Sequence, residues 1–246
     1  MIEFFYKISI SENYFNDFKN YVDEYEKAIK NDKEKIKEKI DSFEIMDEED
    51  GNKIQANWFP KINADVFISH SHDDKELAKA LGGFILKNAK LKPFIDSEVW
   101  GYSNELLRHI DNNYCKFPNK NLYDYELRNH STSHVHMMLS VALMQMISKS
   151  KYFIFLDTPN SNENNNTLIK NSNINKTNSP WIYNELMITK IMHETIENTR
   201  KNIYVKENSE YFSKKIPISY ESNTKHLKEV NLKSLIEKLK TGGNNN

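Results

Sequence analysis

The chain is poor in the residues that staple a fold or cradle a phosphate. Cys115 is the only cysteine among 246 residues, so neither a disulfide framework nor a four-cysteine zinc site can be built from it. A lone thiol suits a reducing compartment. Six glycines are present, yet none forms a glycine-rich loop between strand and helix. Gly82-Gly83 sits inside a helical pattern, which weakens Rossmann and Walker-type readings. No G-x-S-x-G elbow occurs. No apolar run approaches the roughly 20 residues of a membrane-spanning helix. The opening stretch, residues 1–10, carries Glu3 and Lys7 and does not resemble a secretory signal. The 34 basic and 35 acidic residues leave a net charge of −1, which gives no electrostatic drive toward nucleic acid or anionic membrane. These absences point to a cytoplasmic protein with no nucleic-acid or membrane partner.

The length suits one generous domain with an appendage. Residues 1–60 read as an N-terminal helical extension and linker, and 61–246 as the main domain. From Tyr14, apolar residues recur in three- and four-residue steps through Phe43, the spacing of one or two amphipathic helices. Ser9 and Glu12 resemble a capping box before them, and the polar Asn31-Asp32 pair marks a division. Residues 46–52 read as an acidic linker. Tyr14, Tyr21 and Tyr25 are candidate interface residues.

Beyond residue 60, short apolar runs alternate with helical patterns. Strands are expected at 65–69, 92–96 and 152–156, with weaker ones at 203–205 and 216–220. Helices are expected at 74–89, 104–114, about 133–148 with Ser131-Thr132-Ser133 as its cap, 180 to about 198, and around Leu232–Leu239. Residues 160–178 are polar and read as a mobile loop. This alternation predicts an α/β fold, a parallel sheet covered by helices on both faces. In such sheets ligands bind beyond the carboxyl ends of the strands. That rule selects His70–Asp73, Ser97–Ser103 and the turn leading into Trp181–Glu185.

Two histidine pairs, His70-x-His72 and His134-x-His136, invite a metal. Residues two apart on a helix diverge by about 200°, so His134 and His136 cannot share an ion. Polar filler is the plainer reading of both pairs, and no metal site is expected.

Three segments carry a family resemblance. Ala64–Asp73 (ADVFISHSHD) resembles the opening motif of Toll/interleukin-1 receptor (TIR) domains. Phe94–Ser103 (FIDSEVWGYS) resembles their second strand and following loop. Ser179–Glu185 (SPWIYNE) matches the Trp-x-x-x-Glu motif of the NAD-cleaving members. The likeness spans about residues 64–240, and the helical extension makes it similar to bacterial TIR proteins associated with anti-phage defence. It implies a flavodoxin-like three-layer fold and an NAD glycohydrolase, with ADP-ribosyl cyclase output also open. It implies Glu185 as the catalytic carboxylate and Trp181 and the lid Trp100-Gly101-Tyr102 as substrate contacts. NAD is then a substrate, and no cofactor is expected. It also implies homo-oligomers through TIR–TIR contacts and a downstream effector as partner. Where the family often places aromatic or basic residues, this chain has His70, Ser71 and His72, assigned here to substrate binding.

The chemistry agrees with that assignment. Nicotinamide in NAD is a pyridinium and leaves as a neutral molecule, so it needs no general acid, unlike a sugar oxygen. One carboxylate suffices to stabilise the charge developing on the ribose carbon. Two other readings stay open: a non-catalytic TIR scaffold acting by self-association, and a metal-dependent hydrolase using the histidine pairs.

Overall fold

The structure, a computed structural model, describes residues 2–10, 18–42, 50–100, 103–162, 176–200 and 220–242. Strands β1 (Phe4–Ser9), β2 (Val66–Ser69), β3 (Pro93–Phe94) and β4 (Tyr152–Asp157) join a late strand, Lys228–Glu229, in one sheet. Between them in sequence lie β5 (Lys176–Thr177) and β6 (Tyr220–Glu221), a separate antiparallel pair, so the late strand is β7. The main sheet runs β3-β2-β4-β1-β7, and every pairing in it is parallel.

Successive residues of a strand point to opposite faces, and both faces of this sheet are covered. Val66, Ile68, Tyr152, Ile154 and Leu156 pack beneath α1 (Val22–Asp41), α3 (Lys75–Ala89) and the last helix, Leu232–Lys240. Phe67, Phe153 and Phe155 pack beneath α2 (Gly51–Trp58), α5 (Ser103–Ile110), α6 (Tyr125–Lys149) and α7 (Pro180–Arg200). A one-turn helix, α4 (Asp96–Val99), follows β3, so the last helix is α8. Strands buried on both sides read as unbroken apolar runs, as VFIS and YFIFL do. The expected α/β architecture, a flavodoxin-like three-layer fold around a parallel sheet, is the one observed. No helix among the described residues is long and apolar enough to cross a membrane.

Residues 1–60 are more than a helical extension. Phe4–Ser9 forms β1, between β4 and β7, in register Phe4↔Tyr152 through Ser9↔Asp157. Its alternation is clean: Tyr6 and Ile8 face one core, Phe5 the other. Lys7 pairs with Asp157 and Glu229, each at 3.5 Å. Ser9 therefore ends a strand instead of capping a helix, and Glu12 lies outside the described residues. Helix α1 runs unbroken through Asn31-Asp32, and the half-buried Asp32 meets Lys92 Nζ at 2.5 Å. Tyr25 is fully buried and is core, not interface. It lies against Gly82, and a Cβ on Gly83 would stand 1.8 Å from the Tyr21 carbonyl oxygen. The two glycines thus let α1 cross α3 at close range.

Helix α6 starts at Tyr125, with the Asp124 carboxylate accepting from Leu127 N at 3.0 Å. The serines expected to cap it lie inside the helix. Ser131 and Ser133 bond back to the carbonyls of Arg128 and Asn129, the alternative that hydroxyls have to capping. Strand β3 is shorter than expected. The expected strand at 203–205 and most of that at 216–220 lie outside the described residues, as do residues 163–175 of the polar loop.

Candidate functional site

The chain leaves β2, returns as β3 on one side of it, and then crosses to β4 on the other side. Crevices form at such reversals, outside the carboxyl ends of the strands. Ser69 is the last residue of β2 and is fully buried. His70 follows it. Asp96 and Ser97 open α4, just past β3.

Two loops are tied together here. His70 Nε2 and Ser97 Oγ are hydrogen-bonded at 2.9 Å. His70 Nδ1 lies 3.9 Å from Asp96 Oδ1 and has no hydrogen-bond partner. Glu185 reaches the same place from the second turn of α7. Its residue exposure is only 3%. Burial pushes the Glu185 carboxyl well above the usual carboxylate range, the Asp96 charge pushes it the same way, and the Ser69 hydroxyl draws it partly back. That hydroxyl makes no hydrogen bond of normal geometry, so its pull is through space. Burial and the Asp96 charge thus both favour the protonated form of Glu185 in this closed arrangement.

The other selected residues divide. Ser71 is half-buried, and His72 is exposed in the turn His72–Asp74. Asp74, at the end of that turn, is buried and accepts from Thr158 Oγ1 at 2.5 Å and Asn160 Nδ2 at 2.8 Å. The loops after β2 and β4 are thereby joined. Trp181 is half-buried, edge-on to His136 with centroids 5.4 Å apart. Trp100 is not a lid residue. It is 3% exposed, its indole N–H donates to the Pro60 carbonyl at 3.2 Å, and its ring stands edge-on to Phe59 and Phe94. Its bulk and its one donor are both spent on the core. Gly101 and Tyr102 lie outside the described residues.

No cluster of three metal-ligating side chains occurs among the described residues. The 820 Å³ groove of the molecule is lined by Ile10, Phe84, Leu232 and Ile236, away from Glu185. Ser97 lies in the Ser97–Ser103 stretch that the site rule selects, whereas sequence reasoning passed over Ser69 and Asp96. A usable signal was present: each is a small polar residue at the end of an apolar strand run, where the site rule already pointed.

A scan against protein-family models finds no match, and comparisons with curated proteins and with solved structures find none either.

Proposed function

We propose that the chain is a TIR-type NAD glycohydrolase in which Glu185 is the catalytic carboxylate. The observation that carries this reading is the position of Glu185. It is a buried carboxyl with no cationic partner among the described residues, set beside both inter-strand loops at the reversal of strand order. Leaving such a group unpaired costs stability, and perturbed carboxyls of this kind cluster at functional sites.

The reaction follows from charge. The C1′–N bond of the ribose breaks, and its electron pair goes to the pyridinium nitrogen, which becomes neutral. Ionised Glu185 stabilises the cation left on C1′. Water then adds to C1′ and gives up a proton, yielding ADP-ribose; capture by an adenine nitrogen yields a cyclic product instead. A pyridinium brought beside Glu185 and Asp96 favours loss of the Glu185 proton, so binding and activation are coupled. His70 and Ser97 bridge the loops that must part to admit the substrate. Self-association through TIR contacts, a cytoplasmic setting, an effector that reads the product and a role in anti-phage defence belong to the same proposal.

The closure of the site favours a second reading, a non-catalytic TIR scaffold, for which a sealed Glu185 is no handicap. Nicotinamide release from NAD by wild-type and Glu185→Gln proteins, at concentrations that promote assembly, separates the two. Release by the wild type alone supports the enzyme, and silence in both supports the scaffold.

A further inference from the structure

Away from Glu185, a 470 Å³ cavity opens between α5 and α6. Helix α5 ends in a π-helical turn, Asp111–Cys115, a local widening that recurs at functional sites. Asp111 is buried there, and its carboxylate accepts from Ser131 Oγ at 2.5 Å and from Arg128 Nε at 2.9 Å.

Arg128 is thereby held on two sides. Asp111 takes the Nε edge of the guanidinium, and the Tyr123 ring lies against its face, 5.2 Å from ring centroid to Cζ. Tyr123 is itself fixed, its hydroxyl donating to Asn112 Oδ1 at 2.6 Å. The Arg128 side chain remains half-exposed, with its terminal amines unclaimed by any carboxylate among the described residues. Arg108 lines the same cavity and has no carboxylate partner among those residues. The chain has 34 basic residues, and only Arg108, Arg128 and Arg200 are arginines. Two of them meet in one cavity. Arginine presents a planar fork that matches an oxyanion at two points, which lysine cannot do.

We propose that this cavity binds a phosphoryl group, with Arg108 and Arg128 as its ligands and Asp111 holding Arg128 in place. Asn112 supplies a further donor through its amide nitrogen, since the Tyr123 hydroxyl occupies only its oxygen. The cavity volume fits a nucleotide-sized ligand, so the phosphoryl source is either free phosphate or a nucleotide. The proposal stands independently of the role given to Glu185.

Calorimetric titration of the full chain with inorganic phosphate and, separately, with ADP tests it. The wild type is expected to bind at least one of them. Arg108→Gln, at an exposed position, is expected to weaken that binding about tenfold or more. Arg128→Lys keeps a cation beside Asp111 but loses the fork, and is expected to weaken it by about tenfold. Unchanged thermal midpoints of both variants without ligand show that the fold is intact. Tighter binding of ADP assigns the site to a nucleotide, and equal affinity assigns it to phosphate alone. Failure of both ligands to bind at millimolar concentration overturns the proposal. So does binding that survives both arginine substitutions unchanged.

Discussion

Glu98 and Glu185 are both buried, at 5% and 3% exposure, yet their surroundings are opposite. Glu98 sits on α4 and faces the α1–α3 layer, where Lys33 Nζ lies 2.5 Å and Lys75 Nζ 2.8 Å from its oxygens. Burial alone raises its pKa, but the two lysines outweigh burial and hold it below the ordinary carboxylate value. Glu185 faces Asp96 and an unbonded hydroxyl, and its pKa is raised. Two residues of one short helix, Asp96 and Glu98, thus do contrary work. Glu98 ties the helical layers together, and Asp96 adds to burial in raising the pKa of a neighbouring carboxyl. The contrast separates a buried carboxylate held by cations from a buried carboxyl that costs stability.

The largest effect on stability is expected from stripping Glu98 of its partners. Lys33→Met with Lys75→Met leaves a buried charge uncompensated and should cost about 3–5 kcal/mol, read as a lower denaturant midpoint at neutral pH. Gly83→Ala tests the packing that brings Lys33 to Glu98. Its Cβ meets backbone at 1.8 Å, so α1 must shift, with a loss of about 1–3 kcal/mol or more.

pH offers a sharper contrast. Glu98 has a lowered folded pKa, so its contribution is full above the unfolded carboxyl value and is lost as pH falls through the folded one. Glu185 has a raised folded pKa, so its contribution is present below the unfolded value and is lost as pH rises through the folded one. Glu185→Gln is expected to flatten the decline of stability as pH rises above the ordinary carboxyl value, while leaving the acid limb unchanged. His226, lowered to about 4 by burial and by His193 and Lys190, adds to the acid limb. Its contribution is full above pH 6.5 and fades as pH falls toward 4. Chemical denaturation across pH, repeated with His226→Gln, checks that share.

The smallest expected effect is kinetic. Burial still raises Glu185 in Asp96→Asn, but the Asp96 charge that adds to it is gone, so the ionised form of Glu185 persists to lower pH. The acid limb of the pH–rate profile of nicotinamide release should move toward acid. An unmoved limb would separate Asp96 from Glu185.

Much of this architecture was legible in the chain. β2 and β4 are apolar runs too short for helices, and α3, α7 and α8 carry three- and four-residue spacing, so the layered fold and the site rule followed. The rule brought Glu185 to the ends of β2 and β3, where it is found. β1 was hidden because strand pairing leaves no local mark. Phe4–Ser9 alternates well enough, but its partner is Tyr152–Asp157, far along the chain. Trp100 was misread for a related reason. An aromatic beside a glycine suits a lid as well as a core, and only the approach of Pro60 and Phe59 decides between them. The serines at 131 and 133 likewise resemble a cap until Asp124 is seen to take that role.

The central claim is that Glu185, and not its well-paired counterpart, acts on NAD. Nicotinamide release by wild-type, Glu185→Gln and Glu98→Gln proteins, each confirmed folded, tests it directly. The account predicts release by the wild type, a loss of about 10²-fold or more in Glu185→Gln, and near wild-type turnover in Glu98→Gln. Wild-type rates in the Glu185→Gln protein would contradict it.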